Sequence, residues 1–112
     1  MRIKDDSISL SGFTAQILFA VQVAEGAYRD VGVYNAGTKN RDMGIVLTSA
    51  NDGRHSLTSL HYVGHAVDIR TRHLVNPEKV RDEIKSRLNQ DFDVLFEGDH
   101  IHIEWQPRRR DK

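Results

Sequence analysis

Residues Phe92 to Trp105 read FDVLFEGDHIHIEW, and their alternation decides the fold. Phe92, Val94 and Phe96 alternate with Asp93, Leu95 and Glu97. After Gly98-Asp99 the pattern resumes as His100, Ile101, His102, Ile103, Glu104, Trp105. Successive side chains of a strand point to opposite faces. Ile101, Ile103 and Trp105 are therefore expected to pack inward, while His100, His102 and Glu104 line the other face. Gly98-Asp99 fits a two-residue hairpin turn with glycine first. Residues flanking such a turn are cross-strand neighbours, which sets Glu97 beside His100.

Upstream, Ala66 to Arg70 (AVDIR) alternates in the same way and reads as a half-buried strand, with Val67 and Ile69 toward the core and Asp68 and Arg70 sharing the opposite face. Between this strand and the hairpin lies a punctuated helix. Asn76 is its cap candidate, Pro77 suits the first helical position, Glu78 favours the positive helix end, and Val80, Ile84 and Leu88 form its apolar stripe. Gly44 to Ser49 (GIVLTS) is a short apolar run of strand type, and Asn51-Asp52-Gly53 marks a turn. Phe13, Ile17, Val21 and Ala24, with Leu18 beside them, predict a first amphipathic helix capped by Ser11. Gly26 to Asp42, rich in Gly, Asn and Asp, reads as an irregular connection. The expected fold class is α+β, a small antiparallel sheet with helices packed on one face, and residues 1-112 are expected to form a single domain.

With 112 residues the chain can bury a core without staples. It has no cysteine, which excludes a disulfide framework and any thiolate metal site, so a metal must be held by imidazole and carboxylate. Sixteen basic residues balance sixteen acidic ones, which argues against a nucleic-acid footprint. The run Arg108-Arg109-Arg110 reads as a solvated tail, with attachment to an anionic surface as its alternative. Met1 to Ser11 lacks an apolar signal core, and no apolar run is long enough to cross a bilayer. The expectation is a protein made in a cytoplasm without a signal peptide and without membrane insertion.

The chemistry sits on the polar strand faces. Asp68 lies on one strand, His100 and His102 on another, and His61 precedes Asp68 by seven residues across Gly64, whose freedom lets the loop turn back. His61, Asp68 and one hairpin histidine make a three-ligand nitrogen and oxygen set that leaves a fourth position for water, as catalytic zinc sites do. A nearby carboxylate then serves as base. Spacing alone leaves a plainer alternative open, in which the histidines face solvent and Asp68 pairs with Arg70 or Arg72.

The stretch Ser59-Leu60-His61-Tyr62-Val63-Gly64-His65-Ala66-Val67-Asp68 matches S-x-H-x-x-G-x-A-x-D. It resembles the signature of the M15 family of zinc peptidases, the D-alanyl-D-alanine carboxypeptidase and L-alanyl-D-glutamate endopeptidase group, whose fold is similar to that of the hedgehog signalling domain. A second motif follows in the expected order as Glu97-Gly98-Asp99-His100-Ile101-His102-Ile103-Glu104. The resemblance spans roughly His55 to Trp105, and short phage or prophage members look similar in layout. It implies a hedgehog/DD-peptidase-like fold with His61 and Asp68 as zinc ligands. The third ligand depends on frame. Glu97-x-x-His100 makes it His100, whereas Asp99-x-x-His102 makes it His102. His102 is preferred, because the second histidine of an H-x-H pair is the ligand in the related endopeptidases. His100 then orients water or stabilises the transition state.

For the base, family spacing favours Asp99 and hairpin geometry favours Glu97. Ser59 matches the family serine, placed to bond substrate or brace the loop. Arg54 lies where a cation would polarise the scissile carbonyl or bind a substrate carboxylate, with a solvated loop arginine as its alternative. Arg70 is read as a neighbour that orients Asp68, His55 as a rim residue, and His65 and His73 as surface histidines. The implied activity is zinc-dependent hydrolysis of peptidoglycan stem peptides, as in an endolysin, with Asp99 or Glu97 moving the water proton to the leaving amine. A separate pore or export partner would deliver the chain to the wall. The alternatives are a hedgehog-like zinc-containing binding module and a phage structural domain without peptidase activity.

Overall fold

Alternating apolar residues can be buried on one side of a sheet only if helices cover that side, and the chain supplies two. The computed structural model describes residues 2–3, 14–40, 43–51 and 66–106, with backbone only at 2–3 and 49–51. In chain order the elements are β1 (Arg2–Ile3), α1 (Ala15–Val31), β2 (Val46–Asn51), β3 (Ala66–Arg70), α2 (Pro77–Arg87), β4 (Phe92–Phe96) and β5 (His100–Trp105). The strands form one sheet in the order β1-β2-β3-β5-β4. All pairs are antiparallel except the two-residue β1, which runs parallel to β2. The sequence pattern missed β1 because two residues carry no period. The fold is α+β as expected, and no described helix is long and apolar enough to cross a membrane.

Both helices share one core with the inner sheet face. Ile17, Ala20, Val21, Ala24, Ala27 and Tyr28 of α1 join Val80 and Ile84 of α2, and these meet Val67 and Ile69 of β3, Phe92 and Val94 of β4, and Ile101 and Ile103 of β5. The alternation thus faces the way the sequence implies, with Ile101 and Ile103 fully buried and Trp105 half-buried against the same core.

Three local expectations are corrected. Helix α1 starts at Ala15, and Thr14 rather than Ser11 is its cap, its hydroxyl accepting from the Ile17 N–H at 3.2 Å. The helix also runs through Gly26 to Val31, where the sequence suggested an irregular connection. A helical glycine costs about 1 kcal/mol, but the following turn buries Ala27 and Tyr28, and the Tyr28 hydroxyl donates to the Arg70 carbonyl at 2.7 Å. Tertiary burial overrides local propensity here. Asn76 does sit at the N-cap of α2, but its side chain caps nothing there. It instead donates to the Val31 carbonyl at 3.0 Å and accepts from the Val33 N–H at 3.2 Å, fastening the end of α1 to the start of α2. Of the Asn51-Asp52-Gly53 turn, Asn51 ends β2 and the rest lies outside the described residues.

Two backbone features shape the polar face. Gly98 has φ +92°, which fits a turn with glycine first, and no described non-glycine residue has positive φ. The Glu97 N–H donates to the His100 carbonyl at 2.8 Å, closing a loop of just Gly98 and Asp99. In β2 the register shifts between Leu47 and Ser49: Leu47 pairs with Ile69, but Ser49 pairs with Asp68, leaving Thr48 as the extra residue of a bulge.

Removing the methyl groups of a fully buried strand residue should cost about 2–5 kcal/mol. Ile101→Ala is expected to fall in that range by urea denaturation. Tyr28→Phe, which removes the hydroxyl that donates to the Arg70 carbonyl, should cost about 1 kcal/mol.

Candidate metal centre

Antiparallel pairing of β3 with β5 sets Ala66 opposite Glu104, Asp68 opposite His102 and Arg70 opposite His100. The pairing of β4 with β5 sets Leu95 opposite His102. Because β3 and β5 lie inside the sheet, both are held in register from two sides. The result is a half-buried polar face over the apolar core.

The side chains on that face interlock. His102 Nδ1 lies 2.7 Å from Asp68 Oδ1, and its Nε2 lies 3.0 Å from Glu104 Oε1. His100 repeats the pattern, with Nδ1 2.7 Å from Asp99 Oδ1 and Nε2 3.0 Å from Glu97 Oε1. His100 Nε2 is also 3.8 Å from Asp68 Oδ1. Ionised carboxylates only accept hydrogen bonds, so a ring flanked by two of them donates from both nitrogens as an imidazolium. The electrostatics agree. The His102 pKa is raised from 6.5 to about 9, mainly by the Asp68 hydrogen bond and further by Glu104, against the opposing effect of burial. That of His100 is also raised, first by its bond to Asp99. The same bond lowers the Asp99 pKa.

Among the described residues, Asp68, Glu97 and His102 offer one ligand atom each within 4.8 Å of one another. One imidazole and two carboxylates suit zinc or a similar divalent cation, and no thiolate is involved. A metal-bound histidine generally donates its second ring N–H to a carboxylate. Glu104 stands in that position at His102 Nε2, leaving Nδ1 toward Asp68 for the ion.

The expected site residues fare as follows. Asp68 and His102 are in direct contact. His100 adjoins them and bonds both candidate bases. Of those bases Glu97 reaches the ligand group, whereas Asp99 lies in the hairpin turn with its side chain 83% exposed. His61, Ser59 and Arg54 lie outside the described residues, as do His55, Gly64 and His65. His73 is not a surface histidine. It is half-buried, its ring centroid 5.4 Å from that of Tyr34, and its Nε2 lies 3.0 Å from the Gly44 carbonyl oxygen.

The sequence reading assigned no role to Glu104, although its spacing of two from His102 on one strand face was a usable signal. Glu104 also accepts from the Gln106 side-chain amide. Thr48 and Arg72, which with Arg70, Asp99 and His100 line a cavity of about 380 Å³ beside the site, were not assigned to it either. A second cavity of about 530 Å³ is lined by Glu25, Tyr28, Arg29, Tyr34, Met43, Gly44 and Ile45, none of which lies among the described residues of this face. Compared with protein-family models, with curated proteins and with solved structures, the chain finds no match.

The raised His102 pKa carries a sign. Without metal, the clamp's contribution to stability is complete below pH 6.5 and is lost as pH rises through about 9. A divalent metal at Nδ1 would have to displace a proton, so any metal affinity of this group should climb across the same window. Ring NMR of the metal-free protein should show a His102 midpoint near 9, and calorimetry at neutral pH should show a proton released with each metal ion that binds there. A midpoint near 6.5 would refute the clamp.

Proposed function

We propose that the chain is a zinc-dependent metallopeptidase that hydrolyses peptide bonds in bacterial peptidoglycan stem peptides. The observation that carries this is the contact of Asp68 with His102 across β3 and β5, with the Glu97 carboxylate in reach of both. The ordered motifs around His61 and His102, with their resemblance to M15 peptidases and to the hedgehog/DD-peptidase fold, support the same conclusion.

Asp68 and His102 hold the ion in this proposal, with His61 as the third ligand by resemblance. Zinc held there supplies a Lewis acid and lowers the pKa of water toward about 7. The protein's own groups do the rest. Glu97 takes the proton of the attacking water on its carboxylate and delivers it to the leaving nitrogen. His100 fixes the Glu97 carboxylate through Nε2 and places positive charge near the carbonyl oxygen as that oxygen becomes anionic. Glu104 keeps the His102 ring from turning. Ser59 and Arg54 retain their expected roles at the substrate, and delivery to the wall falls to a pore or export partner.

Replacing the base by its amide should spare zinc binding yet remove catalysis worth about a hundred- to ten-thousand-fold. Glu97→Gln is expected to cut release of stem peptides from purified peptidoglycan by at least about a hundredfold, with a much smaller effect from Asp99→Asn. His102→Ala should lose the metal by elemental analysis. If the zinc-loaded wild type releases nothing from walls of several chemotypes, the peptidase proposal fails and a hedgehog-like zinc-binding module becomes the better account.

A further inference from the structure

We infer that Gln106 is the positioning residue of His102, holding the Glu104 carboxylate so that the ring keeps Nδ1 turned toward Asp68. What this positioning serves rests on the metal reading of the face, but its first readout needs no metal.

His102, Glu104 and Gln106 follow one another at a spacing of two, which puts them on one face of an extended chain. Gln106 lies just past the end of β5, yet its backbone N–H donates to the Asp91 carbonyl at 2.6 Å, so the ladder with the other arm of the hairpin runs one rung further. The three side chains then form a directed chain. The Gln106 amide nitrogen donates to one oxygen of Glu104, the other oxygen lies 3.0 Å from His102 Nε2, and His102 Nδ1 lies 2.7 Å from Asp68 Oδ1. An ionised carboxylate only accepts, so the amide must present its nitrogen to it.

Each link constrains the next. The outermost torsion of a histidine side chain is broad, so its rotamer alone does not decide which ring edge faces Asp68. A half-turn would exchange Nδ1 for Cδ2 and set a carbon against the carboxylate. In the metal-free protein both Asp68 and Glu104 oppose that turn. An ion on Nδ1 would replace the Asp68 bond, and the Glu104 bond would then fix the ring. Glu104 is itself a flexible, half-buried side chain, and tethered by one oxygen it regains rotamer freedom by swinging toward water. Gln106 takes the second oxygen and opposes that swing.

Two variants separate positioning from mere structure: Gln106→Met keeps the length without the donor, and Gln106→Lys keeps a donor. NMR of the metal-free protein with labelled histidine nitrogens, at neutral pH and low temperature, follows exchange of the ring N–H protons with water. The His102 Nε2–H should be protected in wild type and exchange about tenfold or more faster in Gln106→Met. The His102 Nδ1–H and both ring protons of His100 should change little, and Gln106→Lys should restore the wild-type rate. Zinc affinity, measured against a competing chelator, should fall about ten- to a hundredfold in Gln106→Met and recover in Gln106→Lys. An Nε2–H that is unprotected in wild type, or unchanged in Gln106→Met, overturns the inference. So does equal acceleration at His100 and His102, which marks a loosened hairpin, and so does full zinc affinity in Gln106→Met. If the exchange rates behave as expected but wild type takes up no zinc, the positioning of His102 stands and the metal reading falls. If zinc binds as expected and no peptide is released, the peptidase proposal alone falls.

Discussion

Asp68 and His102 meet across two strands that each have a neighbour on their far side, and this pairing fixes the rest of the polar face. Strand side chains alternate with period two, so a slip of one residue would send His102 into the core and Ile101 or Ile103 to the surface. Both isoleucines are fully buried. The apolar face therefore holds the register, and the polar face inherits its geometry. The helices contribute only indirectly, by covering the inner face with Ile17, Ala24, Val80 and Ile84. Tyr28 is the exception, since it ties α1 directly to the end of β3.

The carboxylates of Asp68, Glu97 and Glu104 on the sheet face, and of Asp99 in the adjoining turn, would repel one another without positive charge between them. Two imidazoles, each between two carboxylates, supply that charge as long as they stay protonated. The clamp at His102 is the stronger one, with its pKa raised to about 9. A divalent cation held here would meet the same demand with more charge, and it would compete with the proton for the same Nδ1. Its binding would then be linked to folding through that one atom.

The hairpin, β3 and α2 were legible because each carries a complete local signal: alternation with a glycine turn, alternation alone, or a proline start with an apolar stripe. The paired placement of Asp68 and the H-x-H histidines followed from alternation, and the contact between them needed only the β3–β5 pairing. What the sequence hid was tertiary in origin. The extension of α1 beyond Gly26 depends on burial of Tyr28 against the sheet. Asn76 bonds across to the preceding helix end, and His73 packs against Tyr34 because the two connections meet. The Arg72 cavity requires the β2 bulge and the hairpin turn to come together, and no local pattern encodes that meeting.

The choice between Glu97 and Asp99 turns on one hydrogen bond. The Glu97 N–H to His100 carbonyl bond makes the loop two residues long, so Glu97 still belongs to the ladder and shares the histidine face, while Asp99 belongs to the turn. Glutamate is also one methylene longer, enough to extend past His100 toward Asp68 and His102, whereas Asp99 bends back to His100 Nδ1. Glu97 has two roles open to it, and they exclude each other. A carboxylate oxygen committed to a metal is a poor base, because the lone pair that would take the proton is in use. In the proposed centre three donors other than Glu97 would be needed to release it; Asp68 and His102 would be two, and His61 would be the third by resemblance. With that third donor in place Glu97 would be free to shuttle protons, as the peptidase proposal requires. Without it Glu97 would complete the ligand set, and the proposed centre would be structural.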